Sequence, residues 1–331
     1  MSEEKMTASL SINRKTERWN LVKIIEEIKM DYEKNSIEIL KMLNNEDPFV
    51  VADSGGKDSS VLTHIALKAG VKFRVVHNHT TVDAPETVYF VRNKFKKLNE
   101  MGICTEIVHP KKTMWELIVE KKFPPTRLMR YCCSELKETY GKGEKLVTGV
   151  RKAESRNRGK NQGAVTFITA KKEIRNLVDN TNFIQTSKGG IIILNLDNDE
   201  KRRIVETCYR TNKTLINPLI DWEDDFIKWY IKHEGIEINP LYSRGWKRVG
   251  CIGCPIARKK QRIKEFSEYP KYKQLYIRAF DRMIDERKRT GLKVDDNWKT
   301  GKHVFEWWLE SGIDPNQIQL DEILKQNGGN V

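Results

Sequence analysis

No run of about 18 apolar residues occurs anywhere in the 331-residue sequence, so nothing in it reads as a membrane-spanning helix. The opening stretch, MSEEKMTASLSINRKTERWN, has no apolar core of the kind a secretory signal carries,. Neither GxxxxGK[ST] nor GxGxxG is present, which removes the Walker A loop and the dinucleotide fingerprint. No internal repeat, low-complexity tract or flexible linker interrupts the chain. Acidic residues are in deficit, 46 against 60 Lys and Arg, for a net charge of +14. That balance favours polyanionic partners: nucleic acid first, nucleotides second, an acidic membrane surface third. Six cysteines in a chain without a signal point to metal binding or redox chemistry rather than structural disulfides,. The expected compartment is therefore the cytoplasm.

What is present is enough for a core: hydrophobic residues are only 38%, yet 8 Trp, 11 Phe and 10 Tyr exclude a disordered chain,. Apolar residues recur at helical spacing between Glu17 and Leu43,. Phe49-Val50-Val51-Ala52 then reads as a buried parallel strand, running into Asp53-Ser54-Gly55-Gly56-Lys57-Asp58-Ser59-Ser60 and a helix that Gly70 ends. Further strands are expected at Lys72–His77, Cys104–Val108 and Lys145–Gly149, with a helix capped by Asp83 after the second,. This alternation predicts an α/β fold, a doubly wound, mostly parallel sheet, with helical additions at both ends. The expected organisation is a helical segment over 1–46, a nucleotide-binding domain over 47–255 with an insertion at about 161–214, and a basic helical region over 256–331. Within the insertion one strand is legible, Ile191–Leu196.

The strongest local signal is strand, SGGKDS, helix. Gly55 and Gly56 let the backbone adopt conformations closed to other residues and come close to a ligand. Consecutive amides, the helix N-terminus and the Lys57 ammonium can then converge on one anion, with Ser54 and Ser59 adding hydroxyls.

The hexapeptide resembles the PP-loop of ATP pyrophosphatases and sulfonucleotide reductases. Asp83-Ala84-Pro85-Glu86-Thr87, Arg130-Tyr131-Cys132-Cys133-Ser134-Glu135-Leu136-Lys137, the loop Gly149–Arg156, Asn217–Trp222, Asn239–Tyr242 and Gly250–Cys254 follow in the order found in phosphoadenylyl-sulfate (PAPS) reductase-like proteins. The resemblance covers Phe49 to Pro255. It implies a Rossmann-like sheet of the PP-loop (HUP) type. It also implies that Ser54, Gly55, Gly56, Lys57, Asp58 and Ser59 meet nucleotide phosphates and that the backbone near His77 and His79 meets adenine. Gly149 and Arg151 close over the nucleotide, and Arg156 and Arg158 pair with a second anionic group. Lys57, Ser54, Asp58 and Arg151 are the catalytic candidates.

Cys132, Cys133, Cys251 and Cys254 form a CC…CxxC set, a soft donor set suited to iron–sulfur or zinc. By resemblance to the reductases that use adenylyl sulfate, a [4Fe–4S] cluster is expected ahead of zinc. Tandem cysteines on one cluster are geometrically demanding, so Cys208 competes to replace Cys132 or Cys133. Cys104, within an expected strand, reads as a small buried residue. The reductases also carry a nucleophilic cysteine in a C-terminal Glu-Cys-Gly segment, whereas residues 255–331 hold no thiol. The namesake reduction thus lacks its attacking group here.

From Arg258 to Arg289 there are 12 Lys/Arg and 5 Asp/Glu, with Tyr269, Tyr272, Tyr276 and Phe280 at helical spacing. Such a stretch suits a nucleic-acid backbone with base stacking, or an amphipathic helix whose aromatics pack inward. Trp298, Trp307 and Trp308 are expected to anchor the last helices to the main domain.

The set as a whole resembles the sulfur-activating component of bacterial DNA phosphorothioation systems. That implies ATP and Mg²⁺ as cofactors, pyrophosphate release, DNA as partner and a protein sulfur donor such as a cysteine desulfurase. The alternatives are a PAPS or adenylyl-sulfate reductase, and a non-catalytic nucleotide-sensing or DNA-binding protein.

Overall fold

The computed structural model describes residues 31–127, 129–137, 143–154, 163–168, 183–185, 191–193 and 213–310. The expected helix before residue 31, Arg156, Arg158, Cys208 and most of the insertion lie outside them. The chain divides into two compact units. One takes in the described residues of Met1–His77, Tyr89–Glu106 and Gly141–Arg248; the other takes in those of Asn78–Val88, Ile107–Tyr140 and Val249–Val331.

The first unit is built on strand β1, Phe49–Ala52, whose first three side chains are buried. A continuous apolar run of this kind suits a strand covered on both faces. It pairs in parallel with β2, Phe73–Asn78, with Val51 opposite Val75, and with β4, Lys145–Val147, where Val50 faces Leu146. β4 pairs in parallel with β8, Lys213–Ile216. Beyond β8 the sheet turns antiparallel through β5 (Val165–Ile168), β7 (Ile191–Ile193) and β6 (Phe183–Gln185). With β3, Thr105–Val108, the order is β3-β2-β1-β4-β8-β5-β7-β6. The mostly parallel sheet expected from the strand–helix alternation is the one observed. The insertion continues that sheet by a hairpin-like edge, of which only β7 was legible beforehand.

Helices flank the sheet. Residues 31–42 form α1, tied down where the Ser36 hydroxyl donates to the Pro218 carbonyl (2.7 Å) and accepts from the Trp222 indole (2.9 Å). α2, Lys57–Ala69, buries Val61, Leu62, Ile65 and Ala66 and ends on Gly70 in the left-handed region (φ 64°), where glycine carries no Cβ penalty. α3, Pro85–Glu100, begins one residue later than a cap at Asp83 requires. The Asp83 carboxylate instead accepts from the Thr80 amide and hydroxyl, both at 2.7 Å.

The second unit is helical: α4 (Met114–Lys121), α5 (Tyr131–Leu136), then α7 (Lys259–Glu268), α8 (Pro270–Arg289) and α9 (Gly301–Glu310), α6 (Asp224–His233) belonging to the first unit. A Thr113–Glu116 capping box opens α4. Phe266, Tyr276, Phe280, Phe305 and Trp308 are buried together, with ring centroids 4.7–6.1 Å apart. The aromatics of the basic stretch therefore pack inward rather than offering a stacking face. Tyr269, Tyr272 and Tyr276 spend their hydroxyls on Glu86, the Asp83 carbonyl and the Ile252 carbonyl. The three tryptophans anchor the last helix to the segment before α5: Trp308 donates to the Pro125 carbonyl (2.6 Å), and Trp298 and Trp307 pack on Phe123.

Gly253 sits at φ 73°, and a Cβ there would lie 2.6 Å from the Phe266 ring and 3.0 Å from Trp308. Both the backbone and the space demand glycine. Gly253→Ala is expected to lower the unfolding free energy by about 2–4 kcal/mol, read as a fall in the urea midpoint. An unchanged midpoint would mean that the aromatic cluster yields.

Candidate functional site

β1 ends by turning Asp53 inward. Its amide continues the sheet to the Val76 carbonyl (2.8 Å), and its side chain is fully buried. One carboxylate oxygen accepts from the Gly55 amide (2.7 Å) and the Ser59 hydroxyl (3.0 Å); the other pairs with the Lys94 ammonium (2.5 Å). Lys94, from α3, also reaches the hydroxyls of Ser60 (3.4 Å) and Thr63 (3.3 Å). Burial pushes the Asp53 carboxyl up, but Lys94, the Gly55 amide and His77 outweigh it and hold it below the usual carboxylate range,. The loop is thus pinned from beneath.

From the side, Asn239 donates to the Gly55 carbonyl (3.2 Å) and the Tyr242 hydroxyl accepts from the Lys57 amide (3.0 Å). Both belong to the Asn-Pro-Leu-Tyr turn singled out in the sequence. Gly55 takes φ 71°, and Gly56 precedes the first residue of α2 without a side-chain cap. At Gly149 a Cβ would stand 3.2 Å from the Asp58 carbonyl group. Its lack of a side chain lets the β4 exit lie against the start of α2.

Lys57 and Arg151 converge on Asp58: the ammonium lies 2.8 and 3.0 Å from its two oxygens, the guanidinium Nε 2.7 Å from one. Arg151 is buried, and its Nη1 and Nη2 donate to the Trp222 carbonyl (2.9 Å) and Asp224 (2.6 Å). A hydrogen bond from Arg151 holds the Asp224 carboxyl below its usual range. All three nitrogens of Arg151 are thus engaged, so it fixes Asp58 in place. The Ser54 hydroxyl approaches that of Ser59 (3.4 Å). Buried His77 contacts the Asp53 carbonyl through Nδ1 (2.8 Å), and its Nε2 has no hydrogen-bond partner among the described residues. In the second unit the His79 amide donates to the Val108 carbonyl (2.9 Å), and its Nδ1 lies 3.2 Å from Asp83.

All four cysteines of the CC…CxxC set fall in the second unit. Cys132 and Cys133 lie in the first turn of α5, with Cys132 buried. Cys251 is held by a bridge to Asp83, and the Cys254 amide closes the CxxC turn on the Cys251 carbonyl (3.2 Å). The Gly253 amide donates to Glu265 of α7 (2.8 Å), and the Cys251 thiol lies 3.5 Å from the Thr80 hydroxyl. A hydrogen bond with Cys133, then burial, then the charges of Cys133, Cys251 and Cys254 push the Cys132 thiol up. Burial raises Cys251 as well, while the Lys137 ammonium, hydrogen-bonded to it, pulls the other way. These four soft donors, which share one unit with the Lys137 ammonium hydrogen-bonded to Cys251, are the residues that would hold a metal–thiolate centre,. Cys208 lies outside the described residues. Cys104 is exposed rather than buried, because it precedes β3 and does not enter the strand.

Asp53, Lys94, Asn239, Tyr242 and Asp224 were not singled out individually beforehand, although Asn239 and Tyr242 lie in a recognised segment. The acidic residue at the exit of a wholly apolar strand was the one local signal for Asp53.

A mostly parallel sheet with flanking helices, delivering a Gly-Gly loop to a helix N-terminus, defines the PP-loop class of Rossmann-like nucleotide-binding folds. Within that class, residues 48–257 match the phosphoadenosine phosphosulfate reductase domain model, and the chain belongs to this family. It is 27% identical over 305 residues to an uncharacterised protein of Methanocaldococcus jannaschii, covering 88% of this chain and 60% of that protein. A second uncharacterised protein of that organism is 26% identical over 264 residues, which cover 76% of this chain and 45% of that protein. The chain therefore spans less than two thirds of either relative. A 48-residue stretch is 42% identical to the adenosine 5'-phosphosulfate reductase of Rhizobium tropici, covering 14% of this chain and 27% of that enzyme. Among solved structures, phosphoadenylyl-sulfate reductase from Candida auris, a phosphate complex, superposes with a TM-score of 0.40 and 16% identity, over 66% of this chain and 88% of that one.

Proposed function

We propose that this protein is an adenylating enzyme of the ATP pyrophosphatase type that activates an acceptor for sulfur transfer to nucleic acid, as in DNA phosphorothioation. The observation that carries the reading is the Lys57–Asp58–Arg151 arrangement beside a loop pinned by Asp53. Asp58 occupies Lys57 as an internal anion, and an incoming phosphate competes with it for the ammonium as a second charged acceptor,. Lys57, Lys94 and Arg151 are balanced by Asp53, Asp58 and Asp224. A triphosphate brought to these six residues arrives at no net positive charge, which is the physical argument for Mg²⁺ as a companion of ATP.

In this reading an acceptor oxygen attacks the α-phosphorus and pyrophosphate leaves; the terminal sulfur of a donor persulfide, as on a cysteine desulfurase, later displaces AMP, and an external thiol cleaves the remaining S–S bond to the donor. Lys57 steadies the phosphates, the Ser54 hydroxyl offers a hydrogen bond, Ser59 spends its proton on the Asp53 carboxylate and so helps to pin the loop, and Arg151 and Gly149 hold Asp58 and the loop in register. Cys132, Cys133, Cys251 and Cys254 would hold an iron–sulfur cluster, or zinc, that supplies a soft, thiophilic centre. The exposed cations Arg258, Lys259, Lys260, Lys271, Lys273 and Arg278 on α7, α8 and the turn before them support DNA as the partner,.

The test is pyrophosphate release from ATP by anaerobically purified protein, with and without DNA. Release that DNA stimulates is the expected result. Silence with ATP, together with sulfite release from adenylyl sulfate or PAPS, transfers the protein to the reductases. Tight nucleotide binding with no turnover of either leaves a sensing role.

A further inference from the structure

Two glycines in succession give the loop little shape of its own, so its conformation has to be set by what touches it. Gly55 takes φ 71°, and Gly56 is extended at φ −92° and ψ 169°. The peptide groups on either side of Gly56 are both gripped by the Asn-Pro-Leu-Tyr turn, more than 180 residues further along the chain. Asn239 Nδ2 donates to the Gly55 carbonyl (3.2 Å), and the Tyr242 hydroxyl accepts from the Lys57 amide (3.0 Å). The second of these peptides is held at its other end as well. Its Gly56 carbonyl accepts from the Ser59 hydroxyl (2.9 Å) and the Ser60 amide (3.1 Å).

In a trans peptide the carbonyl and the following N–H point in opposite directions. Asn239, by holding the Gly55 carbonyl, turns the Gly56 N–H to the opposite edge of that peptide, where it has no hydrogen-bond partner among the described residues. The Tyr242 hydroxyl closes in on the same residue, since a Cβ at Gly56 would stand 3.5 Å from it. The turn is rigid enough to impose this geometry. Asn239, Leu241 and Trp246 are buried, and Asn239 Oδ1 accepts from the Leu241 amide (3.0 Å). The Tyr242 amide donates back to the Asn239 carbonyl and the Trp246 amide to the Leu241 carbonyl, both at 3.1 Å.

We propose that Asn239 and Tyr242 are positioning residues for nucleotide phosphate, orienting the two peptides around Gly56 so that the Gly56 N–H is a fixed donor to it. The inference rests on the reading of the loop as a nucleotide-phosphate site and adds the distant turn that sets its geometry. A donor held in place beforehand loses less freedom when the ligand arrives, and the affinity so gained is on the scale of one hydrogen bond.

Tyr242→Phe removes one oxygen and leaves the half-buried ring in place. ATP affinity by calorimetry and hydrogen–deuterium exchange of the loop peptide in nucleotide-free protein are compared in wild type and Y242F, with near-UV circular dichroism as the check on folding. In Y242F the loop is expected to exchange faster and ATP to bind about tenfold more weakly. A folded Y242F with wild-type ATP affinity overturns the role of Tyr242 and leaves the nucleotide reading standing. Weaker ATP binding with unchanged loop exchange also overturns it, because the hydroxyl then acts on the nucleotide and not through the loop. Failure of the wild type to bind ATP sinks the nucleotide reading itself, and the positioning role with it. N239D keeps the acceptor for the Leu241 amide and loses the donation to Gly55, so the same two effects are expected from it. It carries the comparison should Y242F fail to fold, and an unmoved affinity in folded N239D overturns the role of Asn239.

Discussion

Asp53→Ala is expected to lower the unfolding free energy by about 3–5 kcal/mol, the usual cost of stranding one member of a buried ion pair. The partner left behind is Lys94, mostly buried at 15% side-chain exposure, and among the described residues only the two long contacts to Ser60 and Thr63 remain to satisfy its ammonium. The Gly55 amide and the Ser59 hydroxyl lose their acceptor at the same time. The double variant Asp53→Ala/Lys94→Met removes the stranded charge and is expected to recover part of the loss, so the two substitutions are strongly non-additive. Acid should reveal the same pair. Because the folded-state pKa of Asp53 lies below its unfolded value near 3.9, its contribution is present at all pH above that value. It disappears as pH falls through the lower folded pKa,. Urea midpoints across pH 3–8 should show an acid limb in the wild type that is smaller in the Asp53 variant. A loss under about 1 kcal/mol, or additivity with Lys94→Met, would show that the loop holds its shape without this pin.

What the sequence displays plainly is what local pattern encodes. β1, the loop and α2 were legible because an apolar run, two glycines and a helical repeat follow one another without interruption. The parallel sheet followed from the same alternation. The partners of the loop were hidden because they are distant in sequence. Lys94 sits in a run of lysines on α3 that looks like any solvated face, 41 residues from Asp53. Asp224 looks like an ordinary first-turn acid of α6 until Arg151 reaches it. Arg262, buried with its guanidinium on the Trp308 ring and Nη1 donating to the Trp308 carbonyl, was lost among twelve like charges for the same reason. The aromatics of α8 could be read either as a stacking face or as core. Periodicity gives a helix its apolar side but does not say what covers it, and the answer came from α9 and the CxxC turn. Strands β5 and β6 are only four and three residues long, and β5 pairs antiparallel with the non-neighbours β7 and β8, so no period of two accumulates far enough to be seen. The cysteines carry their own signal, since a CxxC between glycines is a poor way to fill a core, and the structure brings them into the same unit as the CC pair.

Lys57→Ala is expected to reduce pyrophosphate release by about 10²–10³-fold, the range for removing a donor aimed at developing charge, with little change in stability. The two halves of that expectation have separate causes. The Lys57 ammonium and Asp58 are each 20% exposed, and such partly solvated pairs contribute only about 1 kcal/mol or less,. Asp58 also keeps its bond to Arg151, so the fold does not depend on Lys57. The site does depend on it, because removing one cation from a balanced set of three cations and three carboxylates leaves a net negative charge where phosphate must bind. Asp58→Asn/Lys57→Ala restores neutrality without restoring the donor. If charge alone matters, the double variant should regain ATP affinity and much of the turnover. If the ammonium acts on the phosphates directly, affinity returns and turnover does not, and this second outcome is the expected one. Binding of a DNA duplex, which the reading assigns to the exposed cations of the second unit, should be unchanged in both variants. Full turnover in Lys57→Ala would remove the loop lysine from the mechanism and leave phosphate binding to the other groups of the loop.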